Sequence, residues 1–401
     1  MRFAAITEHK PLRADSFPSR LHHERLAAIL GCALGAAFVV CFATGLYSHL
    51  AQDPTSWFRL PSRPAGLYRV TQGLHVATGI VAIPLLLAKL WVVYPKLFAW
   101  PPFTSVAQLI ERVSLLPLVG GGLFMLFSGL ANINLWYPWP FNFRAAHYWI
   151  AWITIGALVV HVGAKWTTTR HAFARRSVPP RPATRTDGTD EGDAADAAAE
   201  KLARTDRRQF LATVFGTSGL LTLVTVGQTF APLQRLALLA PRRPNDGPQG
   251  FPVNRTARTA GVTDSARAED FRLTVTGRVS TELDLSLAEV RALPQHSAVL
   301  PIACVEGWST SQSWAGVRVR DLLERAGADP GASVRVDSLQ QRRSYRSSQL
   351  NPWQAHDPDT LLALLVGGEP LDSDHGYPLR LIGPNRPGVM QTKWVTRLVV
   401  R

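Results

Sequence analysis

Cys304 is the residue of this 401-residue chain whose type and surroundings most directly suggest chemistry. It lies in the segment Pro301-Ile-Ala-Cys-Val-Glu-Gly-Trp-Ser309, whereas the other two cysteines, Cys32 and Cys41, fall in an apolar stretch near the N-terminus. A thiolate is a soft ligand for a transition metal. An unpaired thiol in an oxidising compartment is liable to oxidation unless something such as a metal binds it. Two interpretations therefore stand: Cys304 binds a metal, or it is a buried core cysteine.

A second motif lies near the C-terminus, where His375-Gly-Tyr-Pro-Leu-Arg380 precedes Gly388-Val-Met-Gln-Thr-Lys393-Trp. With the segment around Cys304, this pattern resembles the molybdopterin-binding domain of the sulfite oxidase superfamily. That superfamily includes sulfite oxidases and the periplasmic methionine sulfoxide reductase catalytic subunit. The resemblance covers roughly residues 271–401. It implies an α+β, mostly β, fold and oxygen-atom transfer at molybdenum.

The resemblance also implies a role for each motif residue. Cys304 would be the protein thiolate on molybdenum, and His375, Arg380 and Lys393 would hold the phosphate and polar edge of the pterin. The chemistry agrees, because a planar Arg fork and a Lys point charge suit a phosphate. The alternatives are a turn histidine before Gly376 for His375 and a surface ion-pair partner for Arg380.

The residues just before Cys304 depart from the sulfite oxidase pattern. Sulfite oxidases place basic residues near molybdenum, one of them just before the cysteine, whereas residues 300–303 here are Leu-Pro-Ile-Ala. The Arg-rich segment 342–346 is an alternative source of positive charge. Glu306 and Trp308 are interpreted as framework residues. The departure leaves the substrate open and favours a reductase over an oxidase of sulfite.

Four apolar stretches precede this domain, and each is near the roughly 20 residues that a helix needs to cross a bilayer. Trp91 and Trp136 flank two of them, as expected of an aromatic belt. The first stretch is too long for a cleavable signal and lacks a small-residue cleavage site. The four stretches are residues 26–50, 67–93, 113–135 and 147–166.

His147 and His161 lie on the fourth stretch, 14 residues apart. In a helix that spacing is about 1400° of rotation, within roughly 40° of the same face, and about 21 Å of rise. The helix would therefore present two imidazoles on one face at two depths of the bilayer. An ionisable residue at such depth is a functional candidate, and histidine is an axial haem ligand.

The spacing resembles the bacterial di-haem cytochrome b family of four-helix membrane proteins, over roughly residues 20–166. By that resemblance His75 would pair with His147, and His23 with His161, each pair holding one haem b iron. One haem, or interhelical histidines without haem, are the alternatives. The alternatives for the first-helix ligand are His22 and His49.

The net charge of +14 reflects two basic clusters, which flank the four stretches rather than forming a nucleic-acid footprint. By the positive-inside rule, both ends of the four-helix part are cytoplasmic. The clusters are Arg2, Lys10, Arg13, Arg20 and Arg25, and Lys165, Arg170, Arg175, Arg176 and Arg181.

A Pro-rich, then acidic and Ala-rich segment at 177–201 is typical of a disordered linker. Arg207 and Arg208 then precede Phe210-Leu211 and an apolar run to about residue 233. The pair is similar to a twin-arginine export signal. The alternative is two ordinary arginines before a fifth helix. In both cases the chain crosses outward here, and we expect the segment to remain as an anchor.

The sequence thus predicts a multidomain protein: an all-α transmembrane bundle of four helices plus a fifth anchoring helix, followed by the molybdopterin domain. The predicted function is a cell-membrane oxidoreductase that exchanges electrons with the quinone pool and acts on a small-molecule substrate outside the cytoplasm. The resemblance implies oxygen-atom transfer, with reduction of an S-oxide or N-oxide favoured and sulfite-oxidase-type oxidation of a small oxyanion as the alternative. The alternatives are a non-catalytic electron-transfer or binding protein and a transporter-like membrane unit. The predicted segments are a cytoplasmic tail (1–20), a cytochrome b-like domain (21–168), a cytoplasmic linker (169–206), the fifth helix (207–236), an outer linker (237–269) and the molybdopterin domain (270–401).

Overall fold

The computed structural model describes residues 19–53, 57–98, 105–174, 190–226, 231–243, 245–263, 265–266, 269–341 and 345–401. Most of the predicted N-terminal tail lies outside the described residues. So do residues 175–189 of the predicted linker, together with Arg342 and Arg343.

Among these described residues, five helices are long and apolar enough to cross a membrane, by length and composition. They are α1 (Glu24–Gln52), α2 (Leu67–Val93), α3 (Val106–Ile133), α4 (Phe143–Ala174) and α5 (Asp190–Val226). Each predicted apolar stretch coincides with one of the first four helices to within a few residues. The chain forms two compact units: one comprises residues 1–42, 77–132 and 136–222, and the other comprises residues 43–76, 133–135 and 223–401.

The first unit is helical, and its core forms where apolar residues recur at helical spacing. Leu26, Leu30 and Leu34 of α1 are four residues apart and pack in one cluster with Leu85 of α2 and Val214 of α5. Residues at that spacing share one face of a helix. This face of α1 therefore joins three helices in one apolar core.

Helix α5 begins inside the segment that composition predicts to be a disordered linker. It includes Ala194, Ala195 and Ala197–Ala199, and alanine has the highest helix propensity of all residues. The helix then continues without a break through Arg207 and Arg208. Residues 190–206 of the predicted linker therefore form helix in the structure, and the linker role and bounds of 169–206 stay a prediction.

The second unit contains ten strands in two sheets. One sheet has the order β2-β1-β10-β5-β6, and the other has the order β3-β4-β7-β8, with β9 paired to β7. The strands are β1 (Arg272–Gly277), β2 (Leu283–Ser286), β3 (His296–Ala303), β4 (Ser309–Arg318), β5 (Val334–Ser338), β6 (Ser347–Leu350), β7 (Leu361–Val366), β8 (Glu369–Pro370), β9 (Arg380–Ile382) and β10 (Val395–Val400). The short helices are α6 (Ala257–Ala260), α7 (Leu287–Ala292), α8 (Val319–Arg325) and α9 (Pro352–His356).

Strand β7 has the sequence Leu-Leu-Ala-Leu-Leu-Val because both of its faces are covered. Leu362 and Leu364 belong to the core cluster that includes β1, β5 and β10, whereas Leu361 and Ala363 belong to the cluster around Cys304. Successive side chains of a strand point to opposite faces. This strand therefore separates the main core of the domain from the cluster that surrounds the cysteine.

Residues 43–76, which include the end of α1 and the start of α2, belong to this second unit. The Asn385 side chain accepts from the Tyr68 amide at 2.7 Å and donates to the Pro61 carbonyl at 2.6 Å. Arg63 also forms an ion pair with the buried Asp357 at 2.9 Å. Because of these contacts, the compact units divide differently from the predicted 21–168 domain.

Candidate functional site

Cys304 begins the connection between β3 and β4. These strands pair antiparallel with Ala303 opposite Ser309, so that residues 304–308 form a closed loop. The Cys304 amide donates to the Trp308 carbonyl at 2.9 Å. Gly307 has φ +94, a conformation that side-chain-bearing residues rarely adopt. The hairpin therefore fixes Cys304 at the root of the loop, where it is 1% exposed.

Polar groups surround the Cys304 thiol. Asn254 Nδ2 donates to Sγ at 2.9 Å, and Glu306 forms an ion pair with Arg242 at 3.0 Å. Burial raises the pKa of the Cys304 thiol, and the Glu306 carboxyl adds to the shift. Burial also raises the pKa of Glu306, although Arg242 opposes it. A metal that binds Cys304 would have to displace its proton.

His375 ends a 3-10 turn at Ser373–His375 and is fully buried. Its Nε2 donates to the Pro248 carbonyl at 2.8 Å, and its ring stacks on Phe251 with centroids 3.6 Å apart. Burial and the Arg380 charge lower the pKa of His375 to about 3. The imidazole is therefore neutral, and its buried Nδ1, which has no hydrogen-bond partner in the described residues, is an acceptor.

Arg380 begins β9 and is 4% exposed. It donates from Nη1 to the His375 carbonyl at 3.0 Å, and its guanidinium lies 5.5 Å from the centroid of Trp314. Its Nε has no hydrogen-bond partner, and the ion pairs of the described residues do not include it. Burial lowers the pKa of Arg380 to about 9. The site thus holds a buried cation whose protein partner is a neutral carbonyl.

Lys393, the residue before Trp394, contacts the same turn through its side chain. Its Nζ donates to the carbonyls of Asp374 at 2.6 Å and Arg255 at 3.0 Å. Gly376, at φ +111, permits this approach, because a Cβ there would lie 3.0 Å from the Lys393 Cβ. Burial and the Arg380 charge lower the pKa of Lys393 well below its ordinary value.

Aromatic side chains connect these residues. Phe251 and Trp314 belong to the same buried cluster as Cys304. Phe251 stacks on His375, and Arg380 lies over Trp314. The structure therefore brings Cys304 to the same aromatic cluster as His375 and Arg380, although Cys304 is far from both in sequence.

Part of the site comes from residues 237–269, which the sequence predicts to be a linker without a functional role. Arg242, Phe251 and Asn254 all contact the site, and Gln249 exchanges hydrogen bonds with Pro370 and Asp372. The signal that could have found them is Phe251-Pro-Val-Asn-Arg255, an aromatic and polar cluster in a segment otherwise typical of a linker.

The start of α2 contacts the Cys304 loop within the same compact unit. Gln72 Nε2 donates to the Val305 carbonyl at 3.3 Å. A Cβ on Gly307 would lie 3.2 Å from Val76, so glycine permits the close packing there. His75 lies between these two contact residues in sequence. It packs against Gly45, and its Nδ1 is 3.5 Å from Thr44 Oγ1.

Two more of the predicted haem ligands, His147 and His161, lie on α4 in the helical unit. Ser128 Oγ is 3.0 Å from His147 Nδ1, and a contact of this kind orients the imidazole ring. His161 has a buried Nδ1 with no hydrogen-bond partner among the described residues.

The first-helix alternatives differ in their surroundings. His23 lies just before α1, is exposed, and accepts from the Arg25 amide through Nδ1 at 3.1 Å. His22 is half-buried, with Nδ1 3.1 Å from the Val92 carbonyl. His49 is half-buried near the end of α1.

Comparison with known proteins identifies the family. The family model of the oxidoreductase molybdopterin binding domain matches residues 260–401. An uncharacterised oxidoreductase of Bacillus subtilis strain 168 is 32% identical over 147 residues, which cover 36% of this chain and 71% of that protein. The chain belongs to the molybdopterin-binding oxidoreductases.

Two further relatives of this molybdopterin-binding oxidoreductase have informative names. A putative protein-methionine-sulfoxide reductase subunit of Azospira oryzae is 35% identical over 133 residues, which cover 33% of this chain and 50% of that protein. The mitochondrial sulfite oxidase of Drosophila melanogaster is 31% identical over 164 residues, which cover 33% of this chain and 27% of that enzyme. The chain thus spans half or less of the length of these two relatives.

The site residues of this oxidoreductase fit a molybdopterin. Arg380 and Lys393 are cations at least partly buried against neutral carbonyls, which leaves their charge available to a phosphate. Within the part of the chain that the structure describes, His375 Nδ1 and Asn254 Oδ1 are buried polar atoms with no hydrogen-bond partner, as expected of groups that contact a polar ligand. The described residues hold no group of three or more His, Cys, Asp or Glu for a metal, and a molybdenum held by pterin sulfurs asks only for one thiolate.

Proposed function

We propose that this chain is a membrane-bound molybdenum oxidoreductase. A b-type cytochrome part exchanges electrons with quinone or quinol, and an extracytoplasmic molybdopterin centre transfers an oxygen atom to or from a small molecule. The favoured direction is reduction of an S-oxide or an N-oxide. The observation that carries the proposal is the convergence of Cys304, His375 and Arg380 on one buried aromatic cluster.

Each residue of the site has a distinct task in this proposal. Arg380 and Lys393 bind the phosphate and polar edge of the pterin, because they are cations with neutral protein partners. His375 accepts a hydrogen bond from the pterin through Nδ1 and stays neutral, because burial lowers its pKa to about 3. Cys304 supplies the protein thiolate, and Asn254 donates to its sulfur. The cofactor supplies the oxygen-atom transfer chemistry when it is bound.

Electron supply through α2 is supported by the contacts of Gln72 and Val76 with residues 305 and 307. His75, the proposed outer haem ligand paired with His147, lies within one helical turn of Gln72. A haem on His75 would therefore share a helix with a residue that is hydrogen-bonded to the Cys304 loop. The inner haem would use His161, whose Nδ1 lacks a hydrogen-bond partner, and His23 or its neighbour His22.

The environment of Cys304 favours a neutral substrate. Leu300, Ile302 and Ala303, which precede it, are each 3% exposed or less. Arg242, which contacts this loop, is already paired with Glu306. Few free positive charges thus remain to hold a small dianion. The Azospira relative, whose name includes protein-methionine-sulfoxide reductase, supports the same direction.

In the reductive direction the substrate oxygen leaves as water, with two electrons and two protons consumed for each S-oxide. Oxidation of one quinol to quinone supplies both. The alternative is oxidation of a small oxyanion with the opposite electron flow, which the likeness to a sulfite oxidase favours. A non-catalytic electron carrier would need a degenerate site, and the retained set of Cys304, Arg380 and Lys393 argues against it.

We further propose that the five long helices span the cell membrane, with the N-terminus and the 169–206 segment cytoplasmic. The net positive charge flanking α1 and α4 supports this orientation. Helix α5 then crosses outward after Arg207 and Arg208 and anchors the molybdopterin domain outside.

Turnover in native membranes tests the proposal. Membranes containing the chain should oxidise added quinol when dimethyl sulfoxide, trimethylamine N-oxide or a peptide methionine sulfoxide is present. Membranes containing Cys304→Ser should not, while their haem spectrum stays unchanged. Sulfite-dependent quinone reduction without S-oxide or N-oxide reduction would reverse the proposed direction. Full activity and molybdenum content in Cys304→Ser would refute the role of the cysteine.

A further inference from the structure

A cavity of about 360 Å³ in the strand-rich unit is lined by arginines, and its lining includes neither Cys304 nor the predicted pterin-binding residues. Arg278 follows β1 and Arg401 follows β10, and these strands are parallel with Gly277 opposite Val400. The two arginines therefore leave the sheet side by side. Arg386 and Arg59 also line the cavity.

The cavity carries positive charge that the protein does not neutralise. Its lining includes four arginines and no Asp or Glu side chain. Arg386 is 4% exposed and donates only to neutral acceptors, among them Gln354 Oε1 and the Met390 carbonyl, each at 2.9 Å. Burial lowers the pKa of Arg386 to about 9. The ion pairs of the described residues include none of the four.

This arginine group is distinct from the pterin-binding residues. Lys393 comes just before β10, and Arg401 comes just after it. Eight residues of extended chain separate the two by roughly 26 Å. The cavity adjoins the cysteine loop through Pro387, which pairs with Ala303, but its four arginines are not the residues predicted to bind the pterin.

The rest of the lining indicates the kind of anion. Ala51 at the end of α1, together with Phe58 and Leu60 of the following loop, adds an apolar wall to the guanidinium groups. Planar guanidinium forks match phosphate oxygens in pairs. The volume suits a small ligand or a headgroup.

We infer that this cavity binds a phosphate group, either as the headgroup of an anionic lipid or as a free phosphate. The neighbouring helix α1 is long enough to cross a membrane, which brings lipid headgroups to this part of the chain. The inference requires neither haem nor molybdenum, so it stands or falls apart from the proposed redox function.

Binding to the full chain purified in detergent tests the inference. Inorganic phosphate and phosphatidylglycerol are titrated separately by calorimetry, with sodium chloride at matched ionic strength and phosphatidylcholine as controls. The double variant Arg59→Gln/Arg278→Gln should weaken binding by at least about tenfold, since each arginine contributes charge-assisted hydrogen bonds. Arg291→Gln, an exposed substitution on α7 outside the cavity, should leave affinity unchanged.

The two arms identify the source of the phosphate. Binding of phosphatidylglycerol alone assigns a lipid headgroup, and binding of inorganic phosphate assigns the free ion. Binding of neither, or equal binding by the wild type and the double variant, overturns the inference. Molybdenum content, measured on the same samples, should be equal in the wild type and the double variant, which keeps this test independent of the cofactor site.

Discussion

Replacing Arg380 by methionine tests whether this arginine serves a ligand rather than the fold. Methionine keeps much of the side-chain length and apolar contact but removes the charge. In the cofactor-free protein the charge is a cost, because burial lowers the pKa of Arg380 from 12.5 to about 9. That shift corresponds to about 5 kcal/mol against the charged form below pH 9.

The stabilising contacts that the substitution removes are worth less than this burial cost. The substitution removes one hydrogen bond, to the His375 carbonyl, which is worth about 1–3 kcal/mol when the acceptor stays buried. It also removes the contact with Trp314, worth about 0.5–2 kcal/mol. We therefore expect cofactor-free Arg380→Met to be as stable as the wild type or up to a few kcal/mol more stable, while molybdopterin retention is lost.

Arg386→Met is the matched control, because burial lowers the pKa of Arg386 to the same value of about 9. The burial contribution then cancels between the two variants. Arg386 makes three firm hydrogen bonds, to the Gln349 and Met390 carbonyls and to Gln354 Oε1, against one for Arg380. The difference of two hydrogen bonds is worth about 2–6 kcal/mol, and the Trp314 contact that only Arg380→Met loses offsets about 0.5–2 kcal/mol of it. Arg386→Met should therefore be less stable than Arg380→Met by up to about 5 kcal/mol.

The assay is urea-dependent proteolysis of the full chain, expressed in a host that makes no molybdopterin. A second preparation from a cofactor-competent host gives the molybdenum content. Arg380→Met should pass the first test and fail the second. If Arg380→Met unfolds more readily than Arg386→Met, or retains full molybdenum, the reasoning about the buried cation is wrong.

Three further predictions concern individual side chains. The pKa of His375 is about 3 when folded against 6.5 ordinarily, so its stabilising contribution is complete above about pH 6.5 and lost as the pH falls toward 3. The free energy of unfolding of the cofactor-free wild type, measured by urea titration, should fall faster below pH 6.5 than that of His375→Gln, by up to about 1.4 kcal/mol per pH unit; parallel curves would contradict this. Asn254→Ala removes the donor to Cys304 Sγ and should lower turnover about tenfold with molybdenum retained, because hydrogen bonds to charged groups contribute about 1.5–3 kcal/mol; unchanged turnover would contradict it. His75→Leu should lose one haem from the reduced-minus-oxidised spectrum and His49→Leu none, because leucine cannot ligate the iron, and the reverse result would make His49 the outer ligand.

A short motif can be recognised in the sequence because its residues lie close together along the chain. His375 ends a turn, Arg380 begins β9 and Lys393 comes just before β10, whereas their binding of a pterin stays a prediction. The two faces of β7 could not be told apart from the sequence. A strand buried on both faces has a continuous apolar run, without the polar residues that mark a solvent-facing side. Its assignment to two cores follows only from the three-dimensional packing.

The contribution of residues 242–255 was not predictable from local pattern. A segment with little regular structure resembles a linker whether it is solvated or packed against a domain. Phe251 and Asn254 gain their roles from contacts with His375 and Cys304, more than 45 residues distant in sequence. The same limitation applies to Gln72, whose bond to the Val305 carbonyl joins two segments that the sequence places in different domains.

The central claim is that one chain carries both a molybdenum centre and b-type haem. The most direct test is metal analysis of the detergent-purified protein together with a reduced-minus-oxidised visible spectrum of the same sample. We expect about one molybdenum and about two b-type haems per chain. Molybdenum without haem would contradict the cytochrome assignment of the helical part, and haem without molybdenum would contradict the catalytic role of Cys304.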